Sequence, residues 1–228
     1  GSTALGSPNT NLVLDQASAG NVIGQVGYGN VLAASGQNGI LLSDAGTQGN
    51  VVRANYIGTD VSGTLSLANG QEGIEFANGA SNNIAGGVGA CPANLIANNG
   101  GSNWGGIMVD AVSAGNSLLG NRIWNSGLLG ILLDWSSSVP TPNDVGDADT
   151  GANDLQNYPV LAAATVSGSQ ITVAGSLNTQ AGGWYRIEFF SNASGDASGH
   201  GEAQTFLGAT LVNTDGSGNA SFLVTLAA

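Results

Sequence analysis

Six oxygen-bearing side chains crowd into one short stretch of this chain: Asn143, Asp144, Asp147, Asp149, Asn153 and Asp154. A hard cation such as calcium takes about six to eight oxygens from carboxylates, amides and backbone carbonyls. Asp147, Asp149, Gly151 and Asn153 form a D-x-D-x-G-x-N run, with oxygen ligands at alternate residues around a turning glycine. It is not the EF-hand loop, which needs a glutamate at its twelfth position. Two readings stay open here. Asp144, Asp147, Asp149, Asn153 and Asp154 are either the ligands of a calcium centre or a solvated acidic turn. Carboxylates this close repel one another without a counter-ion, which favours calcium.

Other residues with chemical potential are scattered. Trp104, Trp124 and Trp135 can stack on sugar rings as glycan contacts, or seal cores and junctions. His200 can join Asp196 and Glu202 at a metal, or lie in a solvated loop. Asp60, in the long turn 58–70, accepts backbone N–H groups locally or serves as an acid or ligand. Glu75 points out of a sheet whose row neighbours Leu41, Met108 and Leu132 are apolar, so that face is expected to be covered. Cys91 is the one cysteine, so no intrachain disulfide exists. Beside Pro92 it is expected to pack as a small apolar residue.

The charge balance excludes whole classes of function. Three arginines (Arg53, Arg122, Arg186) stand against 15 acidic residues in 228, for a net charge of -12. A nucleic-acid partner needs clustered cations, so it is excluded, and an anionic membrane surface is disfavoured. Polyuronate substrates would be repelled. No run approaches the ~20 apolar residues of a membrane span. Lyases and hydrolases of sugars need clustered carboxylates with a base or cations. One His and three scattered Arg are a poor supply, so the chain is expected to be non-catalytic.

The positioning elements follow from a repeat. Gly-Ile-x-apolar tetrads stand at Gly39–Leu42, Gly73–Phe76, Gly106–Val109 and Gly130–Leu133, with Asn11–Leu14 a looser match. Short apolar runs led by Asn21, Asn50, Asn83 and Asn116 follow, and then runs led by Asn30, Asn55, Asn94 and Asn121. Successive cycles, counted from Leu12 through Ile40, Ile74 and Ile107 to Ile131, are 28, 34, 33 and 24 residues long. No 3.6-residue period is present, and periods of this size mark stacked coils. Three short strands per cycle, each paired with its equivalent one coil up, make a parallel β-helix of four to five coils. Ile40, Ile74, Ile107 and Ile131 then stack inward, and the corner asparagines can form hydrogen-bonded ladders.

The segments Asn55–Thr64, Asn69–Ile74 and Gly79–Gly87 resemble the right-handed parallel β-helix repeats of large secreted and surface bacterial proteins with a pectate-lyase-like fold. The acidic tail from Pro142 to Pro159 resembles the segment that closes such helices, after which an immunoglobulin-like β-sandwich usually follows. The resemblance implies an all-β chain: a β-helix over 1–134, an acidic connector over 135–157 and a small, incomplete sandwich over 158–228. Alternating strands agree with it, at 160–166, 170–177, 184–191, 204–212 and 220–226. Both ends look cut, and open strand edges invite self-association. The expected function is a rigid, non-catalytic adhesion-type module, secreted or at the cell surface. The alternative is a carbohydrate-active chain that cleaves or binds a polysaccharide or surface glycan.

Overall fold

The computed structural model describes residues 6–89, 92–135 and 139–227; Cys91 lies outside them. The chain divides into two compact units. One holds Gly1–Pro140, Gly151–Asn153 and Asn192–Gln204; the other holds Thr141–Thr150, Asp154–Ser191 and Thr205–Ala228. The cation-candidate stretch and the expected sandwich segment are therefore each shared between units, since 151–153 and 192–204 belong with the first.

Every cycle of the first unit gives one strand to each of three parallel sheets. The first sheet runs β1 (Leu12–Leu14), β4 (Ile40–Ser43), β7 (Ile74–Ala77), β10 (Ile107–Val109) and β13 (Ile131–Leu133). The second runs β2 (Val22–Ile23), β5 (Val51–Val52), β8 (Ile84–Gly86) and β11 (Ser117–Leu119). The third runs β3 (Val31–Leu32), β6 (Tyr56–Ile57), β9 (Leu95–Ala97) and β12 (Arg122–Trp124). Register follows the tetrads: Leu12 pairs Ile40, Ile40 pairs Ile74, Ile74 pairs Ile107, and Ile107 pairs Ile131. This all-β, parallel arrangement is compatible with a β-helix.

Stacking makes the core. Ile40, Leu42, Ile74, Phe76, Ile107 and Val109 are fully buried, and Val52, Ile57, Ala85 and Ile96 close the ring from the other sheets. Ile131 departs from the expected inward stack: it pairs as anticipated yet is half-exposed, because no further strand lies beyond β13 among the described residues. The outer row is covered around Met108 and Leu132. Met108 and Leu132 are buried with Leu129 and the partly buried Leu128, so the first unit covers this apolar face itself.

Corners are held by asparagine. The Asn21 side-chain amide donates to Asn50 Oδ1 (2.9 Å), Asn50 to Asn83 (2.9 Å), and Asn83 to Asn116 (3.1 Å). A second column joins Asn30, Asn55, Asn94 and Asn121 at 2.9, 3.0 and 3.0 Å. A third runs from Asn11 through Asn69 to Asn99. From the second member on, each Oδ1 in the first two columns also accepts the backbone N–H of the preceding Asn, as Asn83 does from Asn50 at 3.0 Å. Close packing leaves little room beside the columns. Gly86 has φ +96°, and a Cβ there would run into the Leu119 carbonyl and the Asn121 amide.

The two ends of this unit differ. At the β11 and β12 end, Asn153 continues the first column: Asn116 N–H donates to Asn153 Oδ1 at 2.9 Å, and Asn153 Nδ2 returns to the Asn116 carbonyl at 2.6 Å. Ala203 pairs with the edge of β12 through reciprocal 2.9 Å bonds with Ile123. Arg122 Nε donates to the Gln204 carbonyl and Ser126 N–H to Glu202 Oε1. Among the described residues, nothing comparable covers β2 and β3.

The second unit is antiparallel. One sheet is β14 (Val160–Ser167), β15 (Gln170–Asn178) and β18 (Asn219–Ala227); the other is β16 (Trp184–Ser191) and β17 (Thr205–Asn213). Both sheets feed one core of Val173, Leu177, Ile187, Phe189, Val212 and Phe222, with Phe189 edge-on to Phe222 at 5.6 Å. Arg186 and Glu188 pair at 2.8 Å on the solvated face, as the alternation requires. The unit is compatible with a sandwich.

The buried columns generate a graded prediction. Asn83→Ala removes hydrogen bonds to Asn50, Thr47, Ser81 and Asn116 in a buried site, and deprives the Asn50 backbone N–H of its acceptor. It should cost about 3 kcal/mol, because each stranded buried polar group carries a penalty of about 1–3 kcal/mol. Asn21→Ala at the open end should cost under about 1 kcal/mol, since water replaces the bonds. Denaturant unfolding of both variants checks the order.

Candidate metal centre

Asp144, Asp147 and Asp149 are brought together by a tight acidic loop in the second unit. One carboxylate oxygen from each lies within 4.8 Å of the others. Asp147 is the anchor. It is 7% exposed, its Oδ1 accepts the Asn157 N–H at 2.7 Å, and its Oδ2 accepts the Thr179 hydroxyl at 2.7 Å and the Gln156 amide at 3.1 Å. Its backbone has φ +57°, a conformation Asp tolerates better than most residues. Asp144 is tied through its backbone. Its N–H donates to Asn157 Oδ1 at 3.1 Å, and its carbonyl accepts Asn157 Nδ2 at 2.8 Å. The Asp144 carboxylate accepts only the Ala148 N–H, at 3.1 and 3.3 Å, among the described residues. Asn157 also donates to the Asn178 carbonyl, so β15 buttresses the loop.

Asp149 is the unfinished member. Its Oδ1 is shut off from solvent and receives no hydrogen bond among the described residues. Burial raises its pKa, and the neighbouring charges of Asp144 and Asp147 raise it further. A desolvated oxygen facing two carboxylates is completed either by a proton or by a cation. The donor set is all oxygen, which suits calcium or magnesium rather than softer ions.

The other two expected ligands go elsewhere. The Asn153 side chain is spent on Asn116 in the first unit. Asp154 lies in the short 3-10 helix Ala152–Leu155 and is not in the carboxylate group. The alternate-residue pattern identified the crowded oxygens but not that Asn153 is committed to Asn116 and that Asp154 stands outside the carboxylate group.

The tryptophans divide similarly. Trp104 meets Trp135 edge-to-face, with centroids 4.9 Å apart and planes at 89°, and Trp135 is 47% exposed. Trp124 instead lies under the Arg122 guanidinium, 5.5 Å from the ring centre. Asp60 accepts the Ser62 hydroxyl and the Thr64 and Leu65 N–H groups, a self-contained turn. Asp196 accepts from Ser198 and Glu202 from Ser126, and no metal-holding group forms around His200 among the described residues.

One buried acid was invisible in the sequence. Glu72, in a Gly-Gln-Glu-Gly turn, is 1% exposed, and its Oε2 has no partner among the described residues. Burial pushes its pKa up to about 7, with the Glu75 charge adding. Asn38 bridges the two acids: its Oδ1 accepts the Glu72 N–H at 3.1 Å, and its amide donates to Glu75 Oε2. Burial also raises the Glu75 pKa, and the charge of Asp110 contributes.

No protein-family model matches this chain, and no curated protein matches it either. Among the described residues no helix is long and apolar enough to cross a membrane.

Glu72 sets a pH dependence. Its proton is held more tightly folded than unfolded, so its contribution is complete below pH 4.5 and is lost as pH rises through about 7. The swing amounts to about 3 kcal/mol, from the conversion of a pKa shift into free energy. Glu75 and Glu202 shift in the same direction and reinforce it. Denaturant unfolding should show lower stability at pH 8 than at pH 5, and Glu72→Gln should remove most of the difference.

Proposed function

We propose that this chain is a non-catalytic structural module of a secreted or cell-surface bacterial protein. In this reading the parallel unit is a right-handed β-helix that serves as a stiff stalk for adhesion or display. The antiparallel unit is an immunoglobulin-like domain, and a calcium-stiffened connector adjoins it. The observation that carries the proposal is the strand order. Each cycle adds one strand to each parallel sheet in unbroken register, which is how a chain builds length. The buried asparagine columns support the same reading, since they commit polar side chains to rigidity.

Calcium is proposed for Asp144, Asp147 and Asp149, with carbonyl and water oxygens completing the shell. The orphaned Asp149 Oδ1 supports it. A carbohydrate-active chain is the second reading. It draws on Glu72, Glu75 and Asp110 gathered near one face of the first sheet, and on the half-exposed Trp135 as a sugar platform.

Thermal melts in calcium and in EDTA test the first reading. Calcium in about a hundredfold excess over its Kd should add about 2.7 kcal/mol, because it binds only the folded state. Asp149→Asn should abolish the rise while leaving the EDTA melt unchanged or higher. Identical melts in calcium and EDTA would remove the ion from the proposal. A panel of neutral and acidic polysaccharides, read for reducing ends and unsaturated products, decides the second reading, and turnover would overturn the non-catalytic one.

A further inference from the structure

We propose that Asn78-Gly79 is a modification site, a corner at which the chain deamidates itself and replaces the Asn78 amide with a carboxylate. The inference lies beyond the structural role above and does not rest on it.

The reaction is intramolecular. The backbone nitrogen of the following residue gives up its proton to water or hydroxide and attacks the asparagine Cγ. The Cγ–Nδ2 bond breaks, ammonia leaves, and a five-membered imide closes over the two residues. Water then opens the ring at one of its two carbonyls, giving aspartate or isoaspartate, whose main chain is longer by a methylene. Water is the only reagent consumed. Glycine in second place favours the attack, because no Cβ stands in its way. Four such pairs occur in the chain: Asn38-Gly39, Asn69-Gly70, Asn78-Gly79 and Asn99-Gly100. The dipeptide is the same in all four, so the fold decides which one reacts.

Three of them are locked. Asn38, Asn69 and Asn99 are 3%, 0% and 1% exposed, so the water needed for deprotonation and ring opening is kept out. Each glycine nitrogen is already bonded to a backbone carbonyl: Gly39 to Glu72 at 2.9 Å, Gly70 to Ser35 at 2.8 Å and Gly100 to Asn69 at 3.2 Å. The amides are held as well. Asn38 Oδ1 accepts the Glu72 N–H while its Nδ2 donates to Glu75. Asn69 and Asn99 belong to the third column, and their Nδ2 atoms reach the Leu32 and Ile57 carbonyls at 3.1 Å. Turning Cγ toward the glycine nitrogen would break buried bonds that nothing replaces.

Asn78 differs on every count. It is exposed and directly follows β7, at a corner where its own φ is +54° and that of Gly79 is +89°. The Gly79 N–H is held by a side chain, the Ser113 hydroxyl at 3.1 Å, and the Asn78 amide by another, the Ser43 hydroxyl at 2.9 Å. The reacting atoms are thus restrained by side-chain bonds at an exposed corner, where water replaces them at little cost.

The product changes its surroundings. Asn78 N–H donates to Asp110 Oδ2 at 2.6 Å, and the Ser43 hydroxyl that accepts the Asn78 amide donates to Asp44 Oδ1 at 3.1 Å. A carboxylate at this position removes a donor from Ser43 and stands between two acids, in a chain already at net charge -12. Like charges so close disfavour one another. The isoaspartate form also lengthens the turn that the Ala80 N–H closes onto the Ala77 carbonyl at 3.0 Å. The reaction therefore loosens the first sheet at the level of β7 and acts as a clock on the age of the molecule.

The test is peptide mapping by mass spectrometry of the folded full chain held at mildly alkaline pH, with the aspartate and isoaspartate peptides separated chromatographically. Asn78 should convert many-fold faster than Asn38, Asn69 or Asn99. In denaturant the four should convert at similar rates, because the fold no longer separates them. Ser113→Ala frees the Gly79 nitrogen and should speed the reaction several-fold; if that variant loses its native circular dichroism spectrum, Ser43→Ala frees the amide and should do the same. Asn78→Asp, the mimic of one product, should melt below the parent chain, with the gap narrowing in high salt. Asn78 lasting as long as the three buried asparagines, the same ranking in denaturant, or a folded hydroxyl variant that reacts no faster would each overturn the proposal. An Asn78→Asp chain as stable as its parent would overturn the clock.

Discussion

A buried amide in a corner of the parallel unit cannot satisfy all its hydrogen bonds within its own turn. The neighbouring residues of its own turn are already in strands, and water is excluded. Bonds come from the equivalent corner one level up and from carbonyls of the level below, so each level presents an asparagine at the same corner. Asn50, Asn55, Asn69, Asn83, Asn94 and Asn99 are each 1% exposed or less and meet that demand. The inward stacks of Ile, Leu and Phe follow, because a register fixed at the corners fixes which side chains lie above one another. The glycines beside the columns are a consequence too: Gly86 leaves room for Asn121 because no Cβ is there.

A stack built this way pairs its corner amides from level to level. At the β11 and β12 end the chain supplies residues distant in sequence. Asn153 extends the first column, and a segment from the connection between β16 and β17 pairs with β12. These contacts join residues 37 and 82 positions apart, as Asn116 to Asn153 and Arg122 to Gln204 show. They make the stability of the parallel unit depend on residues far along the chain. At the β1–β3 end, Val13, Val22 and Val31 are exposed among the described residues.

The acidic residues behave differently according to how their charge is met. Asp60 accepts the Ser62 hydroxyl and then turn N–H groups, and Asp215 accepts the Asn219 and Ser217 N–H groups, which holds their pKa values low. Glu72, Glu75 and Glu202 are pushed the other way by burial. Asp149 combines burial with two neighbouring carboxylates, a state that a bound cation relieves. With so few basic residues in the chain, ion pairing cannot do this work broadly. Hydrogen bonds and protonation serve instead.

The parallel strands and their register were legible in the sequence because the Gly-Ile tetrads and leading asparagines recur at each level. The antiparallel strands were legible because their alternation is local: expected and observed spans differ by one residue at most ends. Asp144, Asp147 and Asp149 were legible as a group because six residues of chain can bring three carboxylates together in one loop. The fate of Asn153 was not, since its partner Asn116 lies a whole coil away. Glu72 read as an ordinary turn acid, and only the packing of adjacent levels buries it. The placement of 192–204 with the parallel unit depended on an open edge at β12, which no local pattern reports. Sequence determined what repeats and what lies close along the chain. Tertiary structure decided what the ends of the stack recruit and which acids lose their water, because both depend on surfaces that exist only once the levels are stacked.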